Sequence, residues 1–216
     1  MTMNNLVVLF FVHTTVATFI LGWKFYSQND AVIKKFGIGL LLNGMAFAVW
    51  SAAVLLNPDD LETWTKAGAV FFVGTLYFFL VAGTNDLEAK LRGKAMGGGI
   101  LLLVLLVVLR GFFYPSEPYF SEAGLFYFNI HPIPNALYIA ALTFAGFPAF
   151  SAVANRMSAG YALLVKAGFT ALAIGSIILL VSFDEGLLYI DGWVLGISYL
   201  VLWTSLLFGG SKPWQA

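Results

Sequence analysis

The chain has 216 residues, 11 basic and 11 acidic side chains, 60% hydrophobic and only 10% charged residues, and no cysteine. A soluble domain carries about 25% charged residues, so a disordered chain is excluded, and the even balance of charge excludes a basic nucleic-acid binder. Without cysteine there are no disulfides, thiolate zinc sites or cysteine nucleophiles, and an integral membrane protein remains.

A helix needs about 20 apolar residues to cross a hydrocarbon core of about 30 Å. In chain order, seven stretches meet that need: 6–26, 36–56, 65–83, 95–113, 134–153, 160–183 and 187–208. The connections between them are short. The expected fold is therefore all-α, a seven-transmembrane-helix bundle forming one domain over residues 1–216. The first stretch has no positive charge ahead of it. Trp23, Lys24, Phe25 and Tyr26 stand where a signal peptide would have a cleavage site, so it reads as a permanent helix. Asn57-Pro58-Asp59-Asp60 ends the second helix with a turn. Pro132 and Pro134 open the fifth, where a missing N–H is harmless, and Pro148 inside it predicts a kink.

Charge placement predicts the orientation. With the N-terminus outside, nine basic residues fall on inner segments: Lys24, Lys34, Lys35, Lys90, Arg92, Lys94, Arg156, Lys166 and Lys212. Only Lys66 and Arg110 fall outside. Basic residues in short loops stay cytoplasmic, so the C-terminus is placed in the cytoplasm and the protein in the plasma membrane as a multi-pass chain. The acids fall the other way, giving a net +6 inside and −6 outside. Trp23, Tyr26, Trp64, Tyr114, Tyr119, Tyr189, Trp193 and Trp214 lie near span ends, where amphipathic rings favour the interface.

Few residues are equipped for chemistry. His13 lies within the first helix, followed by Thr14, Thr15 and Thr18. It is either a neutral, hydrogen-bonded histidine or a ligand contact that titrates near neutrality. Arg110 closes the fourth helix on the outer side. It either snorkels to headgroups with Glu117 or Glu122 as partner, or offers an anion contact at the mouth of an outward pocket. The longest connection, 114–133, is rich in proline and aromatic residues and is expected to fold back as a lid or lie on the membrane surface. Asn43, Thr75, Tyr77, Asn135, Tyr138, Ser198, Tyr199, Thr204 and Ser205 are polar groups within spans, expected mostly to bond between helices. Gly97, Gly98 and Gly99 suggest a close helix approach or a loose helix start. Asp184, Glu185 and Asp191 form an acidic group near the last outer turn, read first as a solvated turn.

Several membrane chemistries lack their residues. The seventh stretch has no lysine for a retinal Schiff base, and Lys166 in the sixth lies near the inner end. His13 and His131 are the only histidines, too few for haem between helices. No clustered His and Glu and no Gly-x-Ser-x-Gly element are present for intramembrane proteolysis, and no span carries a mid-depth carboxylate for a proton relay. The expectation is therefore a protein that is not an enzyme and needs no cofactor.

Trp50 near the outer end of helix two is followed by the acidic turn 57–62. The third helix is aromatic, with Phe71-Phe72 and Tyr77-Phe78-Phe79, and an aromatic outer loop precedes helix five. In these features and in its total length the chain resembles the seven-helix membrane sensor region found N-terminal to archaeal and bacterial histidine kinases. It departs from that pattern at the end of helix three, where Leu80-Val81-Ala82-Gly83 stands. It departs again after Phe208, where only eight residues follow and no kinase is present. The resemblance implies a receptor-like bundle that signals through a cytoplasmic or membrane protein partner.

The expected function is binding of a small or lipophilic ligand from the outer side, with His13, Trp50, Arg110, Tyr114 and Trp193 as lining residues. The inner loops would meet anionic lipid or a partner, and homo-oligomers are compatible with the pattern. The alternatives are a small transporter or channel, or an accessory subunit of a membrane complex.

Overall fold

Seven helices account for most of the chain in the computed structural model. It describes residues 3–56, 60–120, 126–127, 131–181 and 185–209, with side-chain surroundings for 11–56, 60–119, 131–175 and 193–208. The helices are α1 Met3–Tyr26, α2 Ala31–Leu56, α3 Leu61–Gly83, α4 Ala89–Val108, α5 Pro132–Ala154, α6 Ala159–Val181 and α7 Glu185–Gly209. Between α4 and α5 lie a π-helical turn, Leu109–Phe113, and two short strands, β1 Tyr119–Phe120 and β2 Phe126–Tyr127. The strands pair antiparallel, Tyr119 with Tyr127 and Phe120 with Phe126, so the long connection doubles back on itself. Glu122, the turn at 57–59, the acidic group at 184–191 and Lys212 lie outside the described side chains.

Among the described residues, four helical segments are long and apolar enough to cross a membrane: Ala31–Leu56, Leu61–Gly83, Ala89–Phe113 and Pro132–Ala154. Shorter apolar segments follow at Ala159–Gly175 and Trp193–Phe208. The protein is thus an all-α membrane-type chain.

Two helices begin well ahead of their apolar runs, by five and six residues, for different reasons. α2 starts at Ala31 because the Asp30 carboxylate accepts hydrogen bonds from the N–H groups of Val32 (2.8 Å) and Ile33 (2.9 Å). α4 starts at Ala89, and its first turns carry the exposed Lys90, Arg92 and Lys94. Lys and Arg are good helix formers, so helical geometry continues past the apolar part. α5 runs without interruption through Pro148.

The helices close into a ring. α1 packs on α2, α2 on α3, α3 on α5, α5 on α6, α6 on α7, and α7 returns to α1. α4 leans on α3 and α5 from outside, burying only Gly99, Leu103 and Leu106. The centre is aromatic. Phe36 of α2 stacks on Phe79 of α3 at 4.8 Å and meets Phe150 of α5 edge-on at 5.0 Å. Phe150 in turn stacks on Phe169 of α6 at 4.3 Å. Offset and edge-on ring pairs add to dispersion, which matters because lipid supplies no hydrophobic drive between helices. Glycine permits the closest approach: a Cβ on Gly83 would lie 2.6 Å from the Ala149 amide nitrogen, so α3 and α5 touch backbone to backbone there. Of the three consecutive glycines, Gly99 packs against Leu80, while Gly97 and Gly98 face open space.

One end of the ring gathers basic residues and is tied by charge. Arg156, after α5, reaches Asp30 (3.0 Å) between α1 and α2 and Asp86 (3.0 Å) between α3 and α4. Lys35 donates to the Asn85 side chain at 2.8 Å, and Lys24 donates to the Leu207 carbonyl at 2.7 Å. Three connections and the last turn of α7 therefore meet at this end, as an up-and-down bundle requires. Partial burial opposes ionisation of Asp30. The N–H bonds from Ile33 and Val32 and the bond and charge of Arg156 outweigh it and hold the carboxyl below its ordinary value. Burial also works against the charge on Arg156, but Asp30 and Asp86 more than compensate and its pKa is raised.

Candidate functional site

The opposite end holds the one charged side chain that is buried among the described residues. Arg110 is 8% exposed. It sits in the π-helical turn that continues α4, closed by the Tyr114 N–H donating to the Leu109 carbonyl at 2.7 Å. Such wide turns re-aim a side chain and recur at functional sites. Here Arg110 points into the bundle, not out to headgroups. One guanidinium N–H donates to the Tyr138 hydroxyl of α5 and another to Ser116 Oγ at 3.4 Å. The guanidinium carbon lies 5.1 Å from the Tyr138 ring centre, a cation–π contact.

Of the two carboxylates expected as partners, only Glu117 lies among the described residues. Glu117 is exposed, and no carboxylate among the described residues lies within 4 Å of Arg110. The hydrogen-bond partners are hydroxyls, one on α5 and one just past the turn, and they hold the guanidinium inside the bundle. Beside this node, Tyr114 stacks on His131 with ring centres 4.1 Å apart. His131 also caps α5, its Nδ1 accepting from the Ile133 N–H at 3.3 Å. A side-chain pair thus pins the start of the long connection to its end.

From Tyr138 an aromatic path runs across the bundle. Phe72 of α3 lies 5.7 Å from Tyr138 and 6.0 Å from Trp50 of α2. Trp50 meets Phe47 at 5.1 Å, and Phe47 reaches Tyr199 of α7 at 6.3 Å. The Trp50 indole N–H donates to the Thr65 carbonyl at 3.4 Å.

The five residues singled out in the sequence therefore part company. Arg110 and Tyr114 share the turn at this end, and Trp50 joins them through Phe72 and Tyr138. His13 is half-buried on α1, one residue before the buried Thr14. Trp193 is 49% exposed on α7. Tyr138, Ser116 and His131 belong to the cluster but were not among those five. Tyr138 stood out only as a polar group within a span, and its seven-residue spacing from His131 along α5 was the available signal.

The polar groups within spans correct a second expectation. Thr75, Ser198 and Ser205 do not bond between helices. Each hydroxyl donates to the carbonyl four residues earlier in its own helix: Phe71 at 3.1 Å, Val194 at 2.7 Å and Val201 at 2.6 Å. Thr18 and Ser51 do the same with Thr14 and Phe47. A short hydroxyl side chain on a helix reaches its own backbone more readily than a neighbour. A groove of about 300 Å³ lies between α4 and α5, lined by Gly98, Leu101, Leu102, Leu105 and Phe144 and open to the surface.

No protein-family model, curated protein or solved structure matches this chain.

Proposed function

We propose that this chain is a seven-helix receptor-like membrane protein that binds a small or lipophilic ligand at its Arg110 end and signals through a partner at its basic end. The observation that carries the reading is the buried guanidinium of Arg110, held by hydroxyls and an aromatic ring beside the stacked pair Tyr114 and His131. Ionisable groups within the apolar layer mark functional sites. The surplus of Lys and Arg at the other end supports placing that end in the cytoplasm of a plasma-membrane protein, facing anionic lipid or a protein partner. The resemblance to kinase-linked sensor regions points the same way.

A transporter or channel is less well supported, because among the described residues the hydroxyls of Thr75, Ser198 and Ser205 spend their hydrogen atoms on their own helices. Two experiments test the proposal. The cysteine-free chain accepts single reporters: Glu117→Cys should react with an impermeant maleimide from outside intact cells, and Lys94→Cys only after permeabilisation. The reverse result overturns the orientation. In liposomes the protein should move no ion or small solute, and a panel of neutral and charged lipophiles should yield at least one saturable binder. Flux, or a panel without a binder, overturns the receptor reading.

A further inference from the structure

Among the described residues, no carboxylate pairs with the positive charge of Arg110. A guanidinium offers five N–H donors in a planar fork, and the two described acceptors, Tyr138 Oη and Ser116 Oγ, are both neutral. Burying a charge is costly unless it is paired, and the fork geometry matches a carboxylate with two parallel bonds. The π-helical turn points the guanidinium inward instead of letting it reach water. The hydroxyls of Tyr138 and Ser116 stand beside it and can donate to an arriving oxygen. The rings of Tyr138, Phe72, Tyr114 and His131 supply an apolar surround on the same side of the bundle.

We infer that Arg110, with the hydroxyls of Tyr138 and Ser116, is the seat of an organic carboxylate with an apolar body. This rests on the receptor reading and names the class of its ligand. The bidentate pair with Arg110 supplies the missing charge, and the rings receive the body.

The test uses the full-length protein in a neutral maltoside detergent, with decanoate, benzoate and decanol as probes and thermal unfolding plus calorimetric titration as readouts. A carboxylate should bind saturably and raise the melting temperature, while decanol at the same concentration should not. Binding of decanoate alone identifies a membrane-borne acid. Binding of benzoate as well identifies one that also enters from water. Arg110→Gln should weaken the acid at least about tenfold, the loss expected when a buried charge partner is removed. Should that variant not fold, Arg110→Lys keeps the charge, loses the fork, and should still weaken binding several-fold. Ser116→Ala should give a smaller loss.

Four results overturn the inference: failure of the acids to bind, decanol binding as well as decanoate, acid binding unchanged in Arg110→Lys and Arg110→Gln, or acids binding only after Glu122→Gln. The last would mean that the chain's own Glu122 fills the seat. If the acids fail while a neutral lipophile from the wider panel binds, the carboxylate seat is wrong and the receptor reading stands.

Discussion

Arg110 and Arg156 lie at opposite ends of the bundle and solve the same problem in opposite ways. Arg156 keeps 26% of its side chain in solvent and faces two carboxylates from two other connections. Arg110 is nearly enclosed and meets hydroxyls and a ring. The first arrangement fastens loops, with one guanidinium shared between two carboxylates. The second sets its charge against neutral groups, with no carboxylate within 4 Å among the described residues.

Breaking each arginine should expose this difference. The largest effect is expected from Arg110→Ala, which strands the Tyr138 hydroxyl and empties the space beside it. A loss of about 1–3 kcal/mol follows from an unsatisfied buried group, measurable by reversible unfolding in mixed micelles. A loss near zero would show that the node is not packed as described. Arg156→Gln should cost less, about 1 kcal/mol at most, because partly exposed ion pairs are screened by solvent. That loss should shrink further in high salt, whereas the Arg110 effect should not.

Acid sharpens the contrast at the basic end. Asp30 has a folded-state pKa held below its ordinary 3.8, so its contribution is complete at neutral pH. It should fade as pH falls below that ordinary value toward the depressed folded one. Asp30→Asn should flatten this part of the stability profile, and an unchanged profile would show that the latch does not act. The smallest effect is expected between the two ends. Thr75→Val removes a hydroxyl that serves only its own helix, so stability should change by no more than about 0.5 kcal/mol. A larger loss would restore the idea of an interhelical bond.

Seven helices were legible in the sequence because apolar runs of about 20 residues have few other uses. The starts of α2 and α4 were not, since Asp30 and the Lys90–Lys94 turns are polar and a hydropathy reading ends where polarity begins. Arg110 was legible as an oddity, a charge at the end of an apolar run. Its direction was not legible, because one wide turn decides whether it points to headgroups or inward. Tyr138 was one of nine polar groups within spans. Only the helix-to-helix arrangement distinguishes it from Thr75, which looks equivalent in the sequence but bonds to its own backbone.

The wide turn at Leu109–Phe113 also sets the angular phase of everything after it. An α-helix advances about 100° per residue, and one additional residue in a single turn shifts the following chain by nearly that angle. Closing the turn to α geometry with the same number of residues would leave α4 just as apolar and as long, yet it would swing Tyr114 away from His131 and turn Arg110 off Tyr138. Such a chain would have its Arg110 end out of step with the rest of the bundle, a fault of timing along the helix that composition would never reveal.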